Sequence, residues 1–305
     1  MFQGGNHARA DNWYEQMKAF GDPNVYPDAH FNGYAMGGQN ACDVHLILKR
    51  IVTLMHDGLL EKGLHDWMHI LGTGKLEWAG VLTAIQRGVR KLYNENFTIS
   101  FDCASPFLAV SNGTQYSGYR LEHEGKWSYL MEPAPDDKAL HNDTTPYDDY
   151  CDKLYENWMP SPLSKMMKVN DVTRYSPTCA NRMGDITKTS WDSFSYCLMM
   201  AHNVYNQIRA VQVANDFNDI ERVVHKPDVK HWRKTKASDT TDEHSTYVPR
   251  NILYFNTLVE QVFTSEKPME VIANASSFLA DIRGNRWARA TGGSKGTNNF
   301  SSLFE

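Results

Sequence analysis

Long apolar runs are missing from this sequence. Although 41% of its 305 residues are hydrophobic, no stretch approaches the roughly 20 apolar residues that a membrane-spanning helix needs. No segment with the charged start and apolar middle of a secretory signal opens it, so one large domain or two smaller ones without a membrane partner are expected. Cysteine is scarce and unpatterned. Cys42, Cys103, Cys151, Cys179 and Cys197 fall at irregular positions and suggest no paired framework, which makes a reducing cytoplasm the expected setting. Positive charge is not in excess either. A net charge of -5 argues against a polybasic nucleic-acid coat, although Lys226, Lys230, His231, Arg233, Lys234 and Lys236 crowd into one short run that could line a groove or simply be a solvated loop.

What is present is a rhythm. Phe2-Gln3-Gly4-Gly5, Tyr34-Ala35-Met36-Gly37-Gly38, His69-Ile70-Leu71-Gly72-Thr73-Gly74 and Ile99-Ser100-Phe101-Asp102-Cys103 recur through the first third of the chain, with helical stretches between them. Val44, Ile47, Leu48, Ile51 and Leu54 share one side of a helix over 43–55, and Trp78, Val81, Leu82 and Ile85 repeat the theme over 77–89. Intervals of roughly 30 residues are those of β/α units in a barrel or an open parallel sheet, where active-site groups gather at the carboxyl ends of the strands. Asp102 stands at such an end. An aspartate there can equally be a helix N-cap, and the glycines can serve tight turns alone.

Elsewhere the spacing predicts a helix over 10–20 ending at Gly21, a hairpin over 116–131, an acidic, proline-bearing loop over 133–145, a long helix over 189–213, and helices over 251–263 and 268–282 before a Gly/Ser/Asn-rich tail. Four regions are expected: an α/β domain over 1–132, a helical subdomain over 133–225, an exposed basic insertion over 226–250, and C-terminal helices with a tail over 251–305.

In this order, Gln-Gly-Gly, Gly-Tyr-Ala-x-Gly-Gly, Leu-Gly-x-Gly, Phe-Asp-Cys and a later Cys followed by His-Asn, the chain resembles the C-terminal half of the tRNA-guanine transglycosylase superfamily, over about 2–209. The resemblance implies the last four β/α units of a (β/α)8 barrel followed by a mainly helical, zinc-bearing subdomain. The implied activity is exchange of guanine for a 7-deazaguanine base through a covalent glycosyl intermediate. By position, Asp102 would be the nucleophile, a carboxylate suited to an oxocarbenium-like centre. Gln3, Gly37, Gly38, Gln39, Asp43, Leu71 and Gly72 would line the base site, Asp43 standing where the family reads the 7-substituent with a glutamate. Cys179 and His202 would keep two positions of the zinc site.

Three departures qualify what the resemblance implies. The Asp-Ser-Gly-Gly-Tyr-Gln and Phe-Asp-Glu segments of the family's N-terminal half do not occur, so a second chain supplying that half-barrel is expected. Arg174 and Ser176 replace two zinc-binding cysteines, and since arginine cannot ligate a metal, zinc is left as an open alternative to a plain buried Cys and His. Finally, the Pro-Thr-Arg segment that holds the anticodon loop reads Pro106-Phe107-Leu108-Ala109-Val110. Losing those phosphate contacts points away from tRNA and toward the DNA-modifying branch of phages and bacterial modification islands. A tRNA substrate and a non-catalytic scaffold subunit are the alternatives.

Overall fold

A computed structural model describes residues 7–37, 43–120, 127–173, 191–216, 218 and 250–282. Gln3, Gly38, Gln39, Cys179, the basic run over 226–236 and the C-terminal tail lie outside the described residues. The chain is of mixed α/β class, with a small parallel sheet. It divides into two compact units, Met1–Cys103 with Val248–Glu305, and Ala104–Tyr247. The division therefore falls before the hairpin rather than after residue 132, and the C-terminal helices belong with the first unit rather than standing apart.

In the first unit, α1 (His7–Met17) leads through a 3-10 turn, Lys18–Gly21, to β1 (Gly33–Met36). Then follow α2 (Val44–His56), β2 (Trp67–Ile70), α3 (Leu76–Leu92) and β3 (Thr98–Phe101). The strands pair in parallel in the order β1-β2-β3. Of the four expected β/α units three are thus described, while the strand expected at Gln3 is not among them. Alternation along each strand sends Tyr34, Met36, Met68 and Ile70 into the core against Ile47, Leu48, Ile51, Val81, Leu82 and Ile85, where each fully buried aliphatic side chain contributes about 1.5–3 kcal/mol.

The helix over 251–263 is observed as α8 (Arg250–Thr264), which lays Phe255, Val259 and Val262 into the same core. At Gly88 of α3 a Cβ would come within 2.5 Å of Val259 Cγ1 and 2.9 Å of Phe263, so the close approach of these two helices requires glycine. The expected helix over 268–282 is two, α9 (Pro268–Asn274) and α10 (Ser276–Ile282), separated at Ala275.

The second unit begins with α4 (Ser105–Ser111) and the expected hairpin, β4 (Thr114–Arg120) paired antiparallel with β5 (Ser128–Pro133). Short helices α5 (Tyr147–Leu154) and α6 (Val169–Val172) precede the long α7 (Ser193–Asp216). Tyr147, Cys151, Trp158, Met167, Val169, Val172 and Met199 form its core. The ladder of the hairpin shifts register between Tyr116, which pairs with Met131, and Gly118, which pairs with Leu130, and the main chain of Tyr116 also has partners outside the hairpin. Two adjacent side chains of α7 supply them: Asn203 Oδ1 accepts from the Tyr116 amide at 2.8 Å, and His202 Nε2 donates to the Tyr116 carbonyl at 2.9 Å.

Candidate active site

The register of the parallel sheet decides which of the expected residues meet. Ala35 pairs with His69 and His69 with Ser100, while Gly33, Trp67 and Thr98 form the equivalent rung nearer the amino ends. One step further on, the Leu71 amide donates to the Met36 carbonyl at 2.8 Å and the Asp102 amide to the Ile70 carbonyl at 3.4 Å. The ladder thus runs on past the strands, and Gly37, Leu71 and Asp102 continue the same face at its carboxyl end. Three residues far apart in sequence, each expected at the site, are brought to one edge.

Asp102 is not a helix cap. The N-cap of α4 is Ala104, without a side-chain cap bond, and the Asp102 carboxylate turns instead to the β2 turn, where Oδ1 accepts from the Gly72 amide at 2.9 Å. Gly72 has φ of 75°, a left-handed conformation that favours glycine and here accompanies the bond to Asp102. The carboxylate remains 60% exposed, open to a reactant. His69 Nε2 stands 3.6 Å from the same Oδ1. Its other nitrogen, Nδ1, lies 2.8 Å from Ser100 Oγ, which also accepts from Trp67 Nε1 at 2.8 Å. A polar chain therefore crosses the sheet from Trp67 through Ser100 and His69 to Asp102.

His69, Ser100 and Trp67 belong to the site although the motifs of the sequence do not mark them. The signal for them was the period of two along the strands: residues 98, 100 and 102 share a face, as do 67, 69 and 71. That face is polar or small at Gly33, Ala35, Thr98 and Ser100, and Trp67 is 49% exposed upon it.

Asp43 has another use. It is buried, and its Oδ1 accepts from the amides of His45 at 3.0 Å and Leu46 at 3.4 Å, capping α2. His202 is likewise engaged. Besides its bond to Tyr116, its Nδ1 faces Ser161 Oγ at 2.9 Å, and the ring stacks on Trp158 at 4.9 Å. Burial lowers its pKa to about 4, against the opposing effects of the Tyr116 carbonyl and the Asp148 charge. A carbonyl can only accept, so Nε2 carries the hydrogen, and the Nδ1 lone pair is served by the Ser161 hydroxyl. As placed, the ring has no lone pair to give to zinc. Among the described residues no group of three or more His, Cys, Asp and Glu side chains is arranged to hold a metal.

No helix of the described residues is long and apolar enough to cross a membrane. Compared with known proteins, the chain matches no protein-family model, no curated protein and no solved structure.

Proposed function

We propose that the chain carries the nucleophilic half of a guanine transglycosylase, which exchanges guanine in DNA for a 7-deazaguanine base, 7-cyano-7-deazaguanine being one such base. The observation that supports this reading best is the rung at the carboxyl end of the sheet. There an exposed carboxylate, anchored through one oxygen by the Gly72 amide, shares a face with Gly37 and Leu71, in the motif order on which the resemblance rests. An unanchored surface aspartate would have to be ordered at each turnover, whereas this one is already held.

In the reaction, a carboxylate oxygen of Asp102 bonds to the anomeric carbon of a flipped deoxyguanosine as the bond to guanine N9 breaks. Guanine leaves with the bonding pair and takes up a proton. The incoming 7-deazaguanine then attacks the same carbon through N9, losing its own proton and returning the carboxylate, so no net proton or electron is consumed. Guanine is a workable leaving group only if its departing nitrogen is protonated or hydrogen-bonded, which is where the general acid of such a site is required.

A completing partner is part of the proposal. Parallel sheets are normally covered on both faces. Here the face bearing Trp67, His69 and Ser100 is the partly exposed one, while the opposite face is filled by α2 and α3. A second polypeptide supplying the remaining β/α units of a (β/α)8 barrel would cover it. The choice of DNA over tRNA is favoured by Leu108, an exposed apolar side chain on α4 at the position where the Pro-Thr-Arg segment carries arginine, and by its exposed apolar neighbour Phe107.

The test is covalent trapping with the full chain and its completing half-barrel, using a guanine-containing DNA strand and a 7-deazaguanine base. A denaturation-resistant protein–DNA adduct is expected, lost in Asp102→Asn. An active Asn variant would remove the nucleophile, and faster exchange into an anticodon stem-loop than into DNA would make tRNA the substrate. No adduct with either nucleic acid would favour a scaffold role.

A further inference from the structure

We infer that His69 is a positioning residue for Asp102, held by Ser100 and Trp67 so that Oδ1 of the carboxylate is occupied and Oδ2 is the oxygen left to attack. For the identity of what Oδ2 attacks, the inference rests on the transglycosylase reading; the hydrogen-bond chain behind it stands on its own geometry.

The chain has a direction. The Trp67 indole nitrogen can only donate, so it fills a lone pair of Ser100 Oγ at 2.8 Å. Ser100 has a single hydrogen of its own, and its other neighbour is His69 Nδ1, also at 2.8 Å. Donation from the hydroxyl to Nδ1 satisfies both atoms and makes His69 the Nε2–H tautomer, with its N–H on the side of Asp102 Oδ1 at 3.6 Å. That separation is one step beyond a hydrogen bond in the free protein, and such contacts commonly tighten when a reactant is bound. Oδ1 already accepts from the Gly72 amide at 2.9 Å. One donor, the Gly72 amide, therefore bonds this oxygen while a second, the His69 N–H, faces it from β2, and among the described residues Oδ2 has no partner.

The sheet makes this arrangement cheap. Trp67 and His69 are two residues apart on β2, Ser100 and Asp102 two apart on β3, and the parallel register sets His69 opposite Ser100. All four side chains then rise on one face with their bonds across the strands, so the imidazole is oriented by rigid elements rather than by a loop.

The experiment follows the imidazole nitrogens of the full-length chain by long-range nitrogen–proton correlation NMR. His69 is expected as the Nε2–H tautomer, with its Nε2 signal moving in Asp102→Asn. Ser100→Ala should mix the two tautomers and slow adduct formation about tenfold, while Ser100→Thr, which keeps the hydroxyl, should restore both; unchanged amide signals of Met68 and Ile99 would show the sheet intact. A purely structural serine would move neither the tautomer nor the trapping rate. An Nδ1–H tautomer in the parent protein, or an Nε2 signal indifferent to Asp102→Asn, would overturn the inference. The expected tautomer and coupling without any adduct would uphold the positioning of Asp102 and sink the transglycosylase reading alone.

Discussion

His69 on the sheet of the first unit and His202 in the core of the second each place both ring nitrogens near a protein partner, at distances that differ by less than an ångström. Their surroundings separate them. His202 is sealed beneath Trp158 and holds a serine hydroxyl with one nitrogen and the main-chain carbonyl of Tyr116 on β4 with the other, which makes it a strut for the hairpin. His69 lies on a partly exposed face and spends one side on a serine and the other toward an exposed carboxylate, which leaves the far end of the chain open to a reactant. The same side chain is structural where every polar neighbour is itself fixed and buried, and functional in prospect where one neighbour still faces water.

The sharpest way to break this comparison is truncation. His202→Ala would leave the Tyr116 carbonyl without its donor and a void beside Trp158, and should destabilise the second unit by about 3–5 kcal/mol. His69→Ala should cost under about 1 kcal/mol. Urea denaturation followed by circular dichroism measures both, and comparable losses would show that the two rings do the same job.

Acid should sharpen it. Since burial lowers the pKa of His202 to about 4, the folded state binds this proton less readily than the unfolded chain does, whose histidine titrates near 6.5. Its contribution is therefore intact above about pH 6.5 and is lost as the pH falls through about 4, a total of ~3 kcal/mol for a ring this deeply buried. His202→Gln keeps a donor for the carbonyl and cannot titrate over this range, so the difference in stability between it and the parent protein should shrink between pH 7 and pH 4. A difference independent of pH would show that the buried ring does not govern acid sensitivity.

The smallest effect compares two aspartates. Asp43→Ala removes the cap of α2 and should cost about 1 kcal/mol. Asp102→Ala removes a carboxylate that caps no helix and should stay within about 0.5 kcal/mol, although it is expected to abolish adduct formation. Thermal denaturation of the two variants checks the ordering, and a larger loss at Asp102 would make its bond to Gly72 structural.

Much of the fold was legible because it is written in local periodicity. The aliphatic stripe from Val44 to Leu54 and that from Trp78 to Ile85 have helical spacing, and the glycine turns after Met36 and Leu71 mark where strands stop. The hairpin and the long helix α7 were readable for the same reason. The break at Ala275 was not, because the apolar spacing from Val271 to Leu279 runs through it. Nor was the unit boundary at Cys103, since the packing of α8 on α3 joins residues more than 160 positions apart, a relation set by fit at Gly88 and not by any local pattern.

At the site, sequence by itself determined the residue types: an aspartate closing a strand-like segment, glycines able to turn tightly, and an alternating strand face. Only the tertiary structure decided their uses. Asp43 and Asp102 look alike along the chain, yet one is taken by the first amides of α2 and the other by the Gly72 amide across the sheet. His202 and Asn203 look like a motif and serve as partners for the main chain of Tyr116. His69 and Ser100 lie within the recurring segments but outside the Leu-Gly-x-Gly and Phe-Asp-Cys motifs, and they meet because the register of β2 and β3 sets them opposite. Hydrogen-bond partners across a sheet or between a helix and a strand are fixed by long-range packing, where a carboxylate or an imidazole takes whichever donor or acceptor the fold brings within 3 Å.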